Sequence, residues 1–359
     1  MGSAVILSLI ALAQWLAGFL VLGRLLGRRA VPGKAVPADG DPGSVSIIIP
    51  ARDEERNLPA LLGSLKSQAT QAKEIIVVDD ASSDRTAEIA RECGATVLAS
   101  QPLPEGWRGK TWACWQGAQA ATGDRFLFVD ADTWLGQDGL RRIINSHAGG
   151  ALSVGPYHAM RRPYEQFSAF FNLMMTAGTG AFTLLGGEPN GLFGQLLLVR
   201  REDYHRVGGH VAVRDRILEN FWLAERFRRA ASPLKCLAGG DDLAFRMYPG
   251  GLRQLIEGWT KGFASGAART PRLLMLLIVA WLGGMALCTF AITRTWFGGV
   301  VYLLYAAQLY AILRRIGSFR WYTALFFPIP LAFYFVVFTR SVLRSGRKVT
   351  WKGRAIHAH

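Results

Sequence analysis

Three apolar runs, each ending in acidic residues, constrain the fold of this chain more than any other feature. Val45-Ser46-Ile47-Ile48-Ile49 leads into Pro50-Ala51-Arg52-Asp53-Glu54-Glu55, and Glu74-Ile75-Ile76-Val77-Val78 leads into Asp79-Asp80. The third, Arg125-Phe126-Leu127-Phe128-Val129, leads into Asp130-Ala131-Asp132. Short runs rich in β-branched and aromatic residues predict buried strands. Leu58, Leu61, Leu62 and Leu65 recur at helical spacing after the first run, as do Thr86, Ile89 and Ala90 after the second. Asn57 and Ser83/Asp84 mark helix starts. Strand, helix, strand, helix, strand is a βαβ series, which predicts an α/β fold with a right-handed parallel sheet. Ligands in open α/β sheets sit beyond the carboxyl ends of strands. Three acidic strand ends side by side therefore predict a nucleotide-diphosphate pocket.

At the third strand end, Asp130 and Asp132 stand at i and i+2, and the turn there lets their carboxylates converge. Two hard oxygen donors suit Mg2+ or Mn2+ completed by substrate phosphates. Asp132 is the expected metal ligand, and Asp130 is expected to reach the ribose, or the metal through water. A lone Asp-x-Asp reads equally well as a solvated turn; the two neighbouring strand ends tip the balance. Asp79 is expected to cap the turn after its strand, and Asp84 to start its helix. Gly109-Lys110 reads as a Gly-rich bend between sheet and helix. Lys110 there reaches a phosphate or the sugar as a point charge, unless it is an ordinary exposed lysine.

Taken together, PARDEE, VVDDASSD and FVDADT resemble the nucleotide-binding half of a family 2 glycosyltransferase with the GT-A fold. The resemblance continues through WRGKTWACWQGA (107–118), the segment 153–174, the segment 245–267 and VTWKGR (349–354). That longer pattern is similar to the bacterial 4,4'-diaponeurosporenoate glycosyltransferases, which glycosylate carotenoic acids. The resemblance implies a nucleotide-diphospho-sugar transferase whose donor pocket contains Pro50, Ala51, Arg52, Asp80, Lys110, Asp130 and Ala131. It also implies a divalent ion, a UDP-sugar donor, a lipid-soluble acceptor and an inverting reaction.

Composition adds the membrane. Half of the 359 residues are hydrophobic, with the excess at the two ends, and the net charge is +15. Much of the basic excess flanks apolar segments, which points to anionic lipid headgroups. No nucleic-acid-binding motif accompanies it, so no nucleic-acid partner is expected. Cys93, Cys114, Cys236 and Cys288 are scattered without CxxC pairing, which fits a reducing cytosol. Residues 4–23 are long enough to span a bilayer. No basic start precedes them, and Arg24, Arg28 and Arg29 follow. They read as a retained anchor with cytoplasmic sequence after it.

Further apolar stretches cover 273–293, 296–313 and 321–339. Pro328 and Pro330 interrupt the last, which is expected to dip into the membrane and return; a full span is the alternative. The expected layout is an anchor over 1–29, a linker over 30–44 and a GT-A domain over 45–268. Membrane helices over 269–345 and a basic cytoplasmic tail over 346–359 complete it. The expected location is the cell membrane, multi-pass, with the catalytic domain in the cytoplasm.

Family 2 enzymes typically carry Glu-Asp on the acceptor side, with Asp removing the acceptor proton. Here Glu219-Asn220 stands in that place. Either Glu219 is the base, or the acceptor is a carboxylate, already ionised at neutral pH and needing position rather than deprotonation. Arg246, Trp259 and Lys261 lie where related synthases place Gln-x-x-Arg-Trp. Arg246 and Lys261 are expected at the diphosphate, and Trp259 against acceptor or sugar, or else at the membrane interface. Tyr157, His158 and the segment 164–185 are the expected acceptor side. Phe167, Phe170, Phe171, Met174 and Met175 recur there at near-helical spacing, as an interfacial helix or a buried one would. His210 reads as structural. A non-catalytic nucleotide-binding component of an export assembly and a processive polysaccharide synthase are the alternative functions.

Overall fold

The computed structural model describes residues 2–27, 44–68, 70–216, 218–260, 269–344, 349–351 and 354–356. Lys261 and nearly all of the expected 30–44 linker lie outside these residues. After an N-terminal helix, α1 (Gly2–Leu22), the chain builds β1 (Val45–Ala51), α2 (Leu58–Lys66), β2 (Glu74–Asp79), α3 (Thr86–Glu92) and β3 (Thr96–Ala99). Next come α4 (Gly109–Ala120), β4 (Arg125–Val129), β5 (Thr133–Leu135), α5 (Gly139–Asn145), β6 (Ala151–Gly155) and β7 (Tyr157–His158). Then follow α6 (Ala169–Gly178), β8 (Leu196–Arg200), α7 (Arg201–Arg206), α8 (Glu219–Arg229), β9 (Leu234–Ala238) and β10 (Leu243–Phe245). The remaining helices are α9 (Leu252–Thr260), α10 (Arg272–Ala291), α11 (Trp296–Ile316), α12 (Trp321–Leu325) and α13 (Pro328–Arg344).

The chain divides into two compact units. A sheet unit comprises 29–157, 191–246 and 348–359, and a helical unit comprises 1–28, 158–190 and 247–347. Residues 158–190 and 247–347 therefore belong with the helices, and the segment 45–268 draws on both units.

In the sheet unit, seven strands run in the order β3-β2-β1-β4-β8-β6-β9. The expected βαβ series accounts for β3, β2, β1 and β4, which pair in parallel. β8 then inserts antiparallel between β4 and β6, making the sheet mixed. The apolar runs are buried on both faces because helices cover both. Ile47, Ile49, Leu127 and Val129 pack under Leu58, Leu61, Leu62 and Leu65 of α2. Ile48, Phe126 and Phe128, one residue out of phase, pack with Ala113 and Cys114 of α4 and Leu223 and Phe227 of α8. α4 lies so close to β1 that a Cβ on Gly117 would stand 2.4 Å from Ile48 Cγ2. Register aligns the strand ends, with Ala51 opposite Asp79 and Ile48 opposite Phe128.

In the helical unit, α1, α10 and α11 are long and apolar enough to cross a membrane. Several of their polar side chains bond across to a neighbouring helix, as polar groups in interhelical packing in lipid do. Trp281 Nε1 donates to Gln308 Oε1 (2.8 Å), Gln308 Nε2 to the Trp15 carbonyl (3.0 Å) and Tyr305 OH to that of Ala11 (2.9 Å). The stretch 321–339 is divided between α12 and α13, with the break at Phe326-Phe327. Pro328 opens α13, where its missing N–H costs no hydrogen bond. The 17 residues of α13 extend about 25 Å, short of the ~30 Å hydrocarbon core.

α6 decides between the two readings of its apolar stripe. It is buried on nearly all sides, so the Phe and Met stripe is a core helix rather than an interfacial one. Phe171 stacks on Trp259 with centroids 4.8 Å apart, and Trp259 Nε1 donates to Ser168 Oγ at 3.2 Å.

Candidate active site

The loops after β1 and β2 interlock. Asp53 Oδ1 accepts from the Ser83 amide at 2.7 Å, the Glu54 amide donates to Thr86 Oγ1 and the Glu55 amide to Asp84 Oδ2. Asp53 and Ala81 hold φ of 51° and 54°. L residues other than Asn and Asp rarely enter that region, and the surrounding bonds are what keep Ala81 there. Asp79 accepts from the Ser82 amide and Asp84 from the Thr86 amide, so both act as the local caps their positions implied. Arg52 Nη1 donates to the Asp80 carbonyl at 3.1 Å and lies 3.9 Å from its carboxylate. Asp80 is buried. Arg52 and Asp80 are thus drawn together at adjacent strand ends.

β4 ends at Val129, and Asp130, Ala131 and Asp132 form the turn into β5, closed by Thr133 donating to the Asp130 carbonyl. Burial raises the pKa of the Asp132 carboxyl, and the charges of Asp130 and Glu54 raise it further, with Lys110 offsetting only part. Among the described residues no three His, Cys, Asp or Glu side chains converge as a ready metal cage. An under-compensated pair of carboxylates at a strand end fits a divalent ion that takes its other ligands from a diphosphate. Asp132 and Asp130 are the residues that would hold it.

Lys110 lies in the first turn of α4 rather than in a bend. Its Nζ is 2.7 Å from Asp130 Oδ1, 3.5 Å from Glu219 Oε1 and 2.9 Å from the Gly194 carbonyl. Burial alone would lower the pKa of this ammonium, but Asp130 and Glu219 outweigh it and the pKa is raised. The lysine therefore bridges two carboxylates and is neither an ordinary exposed side chain nor a free point charge. Glu219 opens α8, nearly buried, and its Oε1 also accepts from Asn220 Nδ2 at 3.0 Å. Gly194 leaves room beside the pair: a Cβ there would stand 2.9 Å from Asn220 Nδ2, so the Asn220 amide would have to shift. Pro50, Lys110, Asp130, Gly194, His210, Glu219 and Asn220 line one narrow cleft.

Several expected positions are not in that cleft. His158 is buried in the helical unit. Its Nδ1 bonds Asn172 Nδ2, and its Nε2 accepts from the Met247 amide. Both ring nitrogens are occupied, so His158 holds a loop rather than receiving an acceptor. Trp259, 5% exposed, is core and belongs neither to an acceptor site nor to a membrane interface. Arg246 follows β10 half-buried and Tyr157 lies on β7; neither lines the cleft. Gly194 was not singled out from sequence, although its place just before the apolar run of β8 is a usable signal.

His210 is buried beside the cleft, its Nδ1 2.9 Å from Tyr204 OH. Burial pushes its pKa down to about 3, helped by Lys110, and burial pushes that of His158 to about 4. Both stay neutral in the fold while their unfolded counterparts protonate below about 6.5. The unfolded chain then binds more protons, so stability is fully present above pH 6.5 and falls as pH drops toward each folded value. Denaturant titrations at pH 7 and pH 5 should show a loss of about 1.4 kcal/mol per pH unit per histidine inside that window. An unchanged midpoint would contradict it.

A family model described as glycosyl transferase family 2 matches residues 46–219. The 4,4'-diaponeurosporenoate glycosyltransferase of Staphylococcus aureus (strain MRSA252) is 36% identical over 367 aligned positions, covering 95% of this chain and 98% of that protein. The chain belongs to glycosyl transferase family 2. This glycosyltransferase is also 37% identical to the protein of the same name from strain N315, over 87% of this chain and 88% of that one. In fold it is similar to the mannosyltransferase PcManGT from Pyrobaculum calidifontis, solved in complex with GDP-Man and Mn2+. That likeness has a TM-score of 0.54 at 19% identity and covers 94% of this chain and 98% of that one. The mixed sheet and acidic strand ends of this family 2 member are thus those of a GT-A fold.

Proposed function

We propose that this glycosyltransferase moves a hexose, glucose being the first candidate, from a UDP-sugar to the carboxylate of a carotenoic acid, with inversion at the anomeric carbon. It works as a multi-pass membrane enzyme with its sheet unit in the cytoplasm. The observation that carries the acceptor reading is the state of Glu219. One of its carboxylate oxygens is engaged by Lys110 and by Asn220, and Asn220 itself cannot take up a proton. A cleft furnished in this way suits an acceptor that arrives ionised, as a carboxylic acid with a pKa near 4 does. The names carried by the relatives support the same reading.

Arg52 and Asp80 hold the nucleoside. Asp132, with Asp130, would hold a divalent ion, which when bound would supply neutralisation of the diphosphate leaving group's charge. The acceptor oxygen forms its bond to the anomeric carbon as the bond from that carbon to the diphosphate oxygen breaks, and UDP leaves with the electron pair. No proton need be removed. Lys110 fixes Asp130 and Glu219 so that the sugar meets them in one geometry.

Membranes incubated with labelled UDP-glucose and a carotenoic acid should yield a labelled lipid whose sugar is released by mild alkali, since a glycosyl ester is alkali-labile. Asn220→Asp should not speed the reaction, and Glu219→Gln should cost less than the ~10²–10⁴-fold typical of losing a general base. An alkali-stable product would return the acceptor to an alcohol and Glu219 to the role of base.

A further inference from the structure

In the helical unit, the loop following α6 closes on itself and docks on the end of α1. The Asn190 amide donates to the Thr179 carbonyl at 2.7 Å, which ties the two ends of the loop together. The carbonyl of Leu20, in the last turn of α1, accepts from the Leu184 amide at 2.8 Å and from Thr183 Oγ1 at 2.7 Å. The Arg24 amide donates back to the Phe182 carbonyl at 3.1 Å. At the depth of a bilayer, a terminal carbonyl without a partner is costly, and this loop supplies one. Leu184 lies over Gly23, where an added Cβ would come within 2.9 Å of its side chain.

The docking fixes the level of the loop. α1 is apolar from Ala4 to Leu22 and long enough to cross a membrane, and the basic Arg24 follows. The bonds from Leu20 to Arg24 therefore set the loop at the boundary between hydrocarbon and headgroups. Yet its tip carries two leucines, Leu184 55% exposed and Leu185 48% exposed. Gly186 and Gly187, with φ of 79° and 89°, turn the chain back immediately after them. The same end of the unit carries other amphipathic features. Arg315 Nη2 reaches the Leu26 carbonyl at 3.3 Å, so the basic end of α11 meets the end of α1. Trp321 and Phe326, which follow α11, are 61% and 52% exposed. Trp at such a level is the signature of a membrane–water interface.

We propose that Leu184 and Leu185 form a monotopic anchor, inserted among lipid acyl chains at the bilayer face that receives Arg24. The partner is the lipid surface itself, and the contact comes from the middle of the chain rather than from its spanning helices. Two exposed leucines gain from leaving water in proportion to the area they bury. The cost of inserting the loop is reduced because the Leu184 and Leu185 amides and the Thr183 hydroxyl already have partners in Leu20 and Thr183. This inference rests on α1 being a span, and not on the identity of the acceptor.

The test is site-directed spin labelling of the full chain in vesicles of phosphatidylcholine and phosphatidylglycerol, with Cys93 and Cys236 replaced by serine. Labels at Leu184→Cys and at Leu185→Cys should collide with oxygen and be shielded from a water-soluble nickel complex. Leu276→Cys, on the exposed face of α10, serves as the lipid control and Glu105→Cys as the aqueous one. Labels at 184 and 185 that match Glu105, while Leu276 reads as lipid, would overturn the anchor and leave the spans standing. A Leu276 label reading as aqueous would overturn both.

Discussion

Replacing Asp132 with alanine is expected to abolish sugar transfer and metal-dependent UDP binding together. The carboxylate stands in a turn where burial, Asp130 and Glu54 disfavour its charge, and a cation bound there would offset that. On the proposed mechanism, removing it would take away the ion as well as one ligand. A metal at a developing diphosphate supplies several kcal/mol of transition-state stabilisation, which corresponds to a loss of about 10³-fold or more in rate. The measurements are transfer from labelled UDP-glucose and calorimetric UDP binding with and without Mn2+. Unimpaired transfer by Asp132→Ala, or equal UDP affinity with and without the metal in the wild type, would remove the ion from the mechanism. Asp130→Asn provides a useful contrast. It should weaken metal-dependent binding less but also loosen Lys110, whose 2.7 Å ion pair it would lose.

Lys110→Met should also be damaging, although Lys110 stands on a helix rather than at a strand end. Methionine keeps the length of the side chain and removes the charge. Asp130 and Glu219 would then face one another across the cleft without the ammonium between them. Breaking a buried ion pair from one side typically costs ~3–5 kcal/mol. Because the Lys110 side chain is 36% exposed, solvent screens part of that, and a fall in kcat on the order of 10²-fold is the expectation. UDP binding should be nearly retained, because Arg52 and Asp80 form a separate cluster at the ends of β1 and β2. Lys110→Arg should not restore the rate, since a planar fork cannot reproduce the three contacts of a compact ammonium. A Lys110→Met enzyme with full kcat would reduce the lysine to packing.

What could be read in advance follows from how local each feature is. Asp79 and Asp84 cap turns only a few residues away, so sequence spacing was sufficient to place them. The strand ends were legible because a run such as Phe126–Val129 must be buried wherever it lies. The role of Lys110 was not, because Glu219 and the Gly194 carbonyl come from distant segments and nothing local distinguishes a bridging lysine from an exposed one. The insertion of β8 between β4 and β6 escaped for the same reason: antiparallel insertion leaves no mark on an apolar strand. Trp259 carries a different ambiguity. An aromatic on an amphipathic helix looks the same in sequence whether it faces lipid, ligand or another ring. For Trp259 the deciding partner is Phe171, far earlier in the chain.

The division of the chain also imposes an order on synthesis. Residues 158–190 emerge from the ribosome before β8, β9 and α8 exist, yet they belong to the helical unit. The partners of their apolar residues come later still: Trp259 on α9, then Phe333 and Tyr334 on α13, which pack against Phe167 and Phe171. A chain cut at residue 246 would hold every strand of the seven-stranded sheet and the whole Lys110 cluster. It would also display that uncovered aromatic stretch in its middle, a surface that drives aggregation. Trimming the membrane helices from the two ends therefore does not release a soluble enzyme. A soluble sheet unit would have to lose residues 158–190 as well.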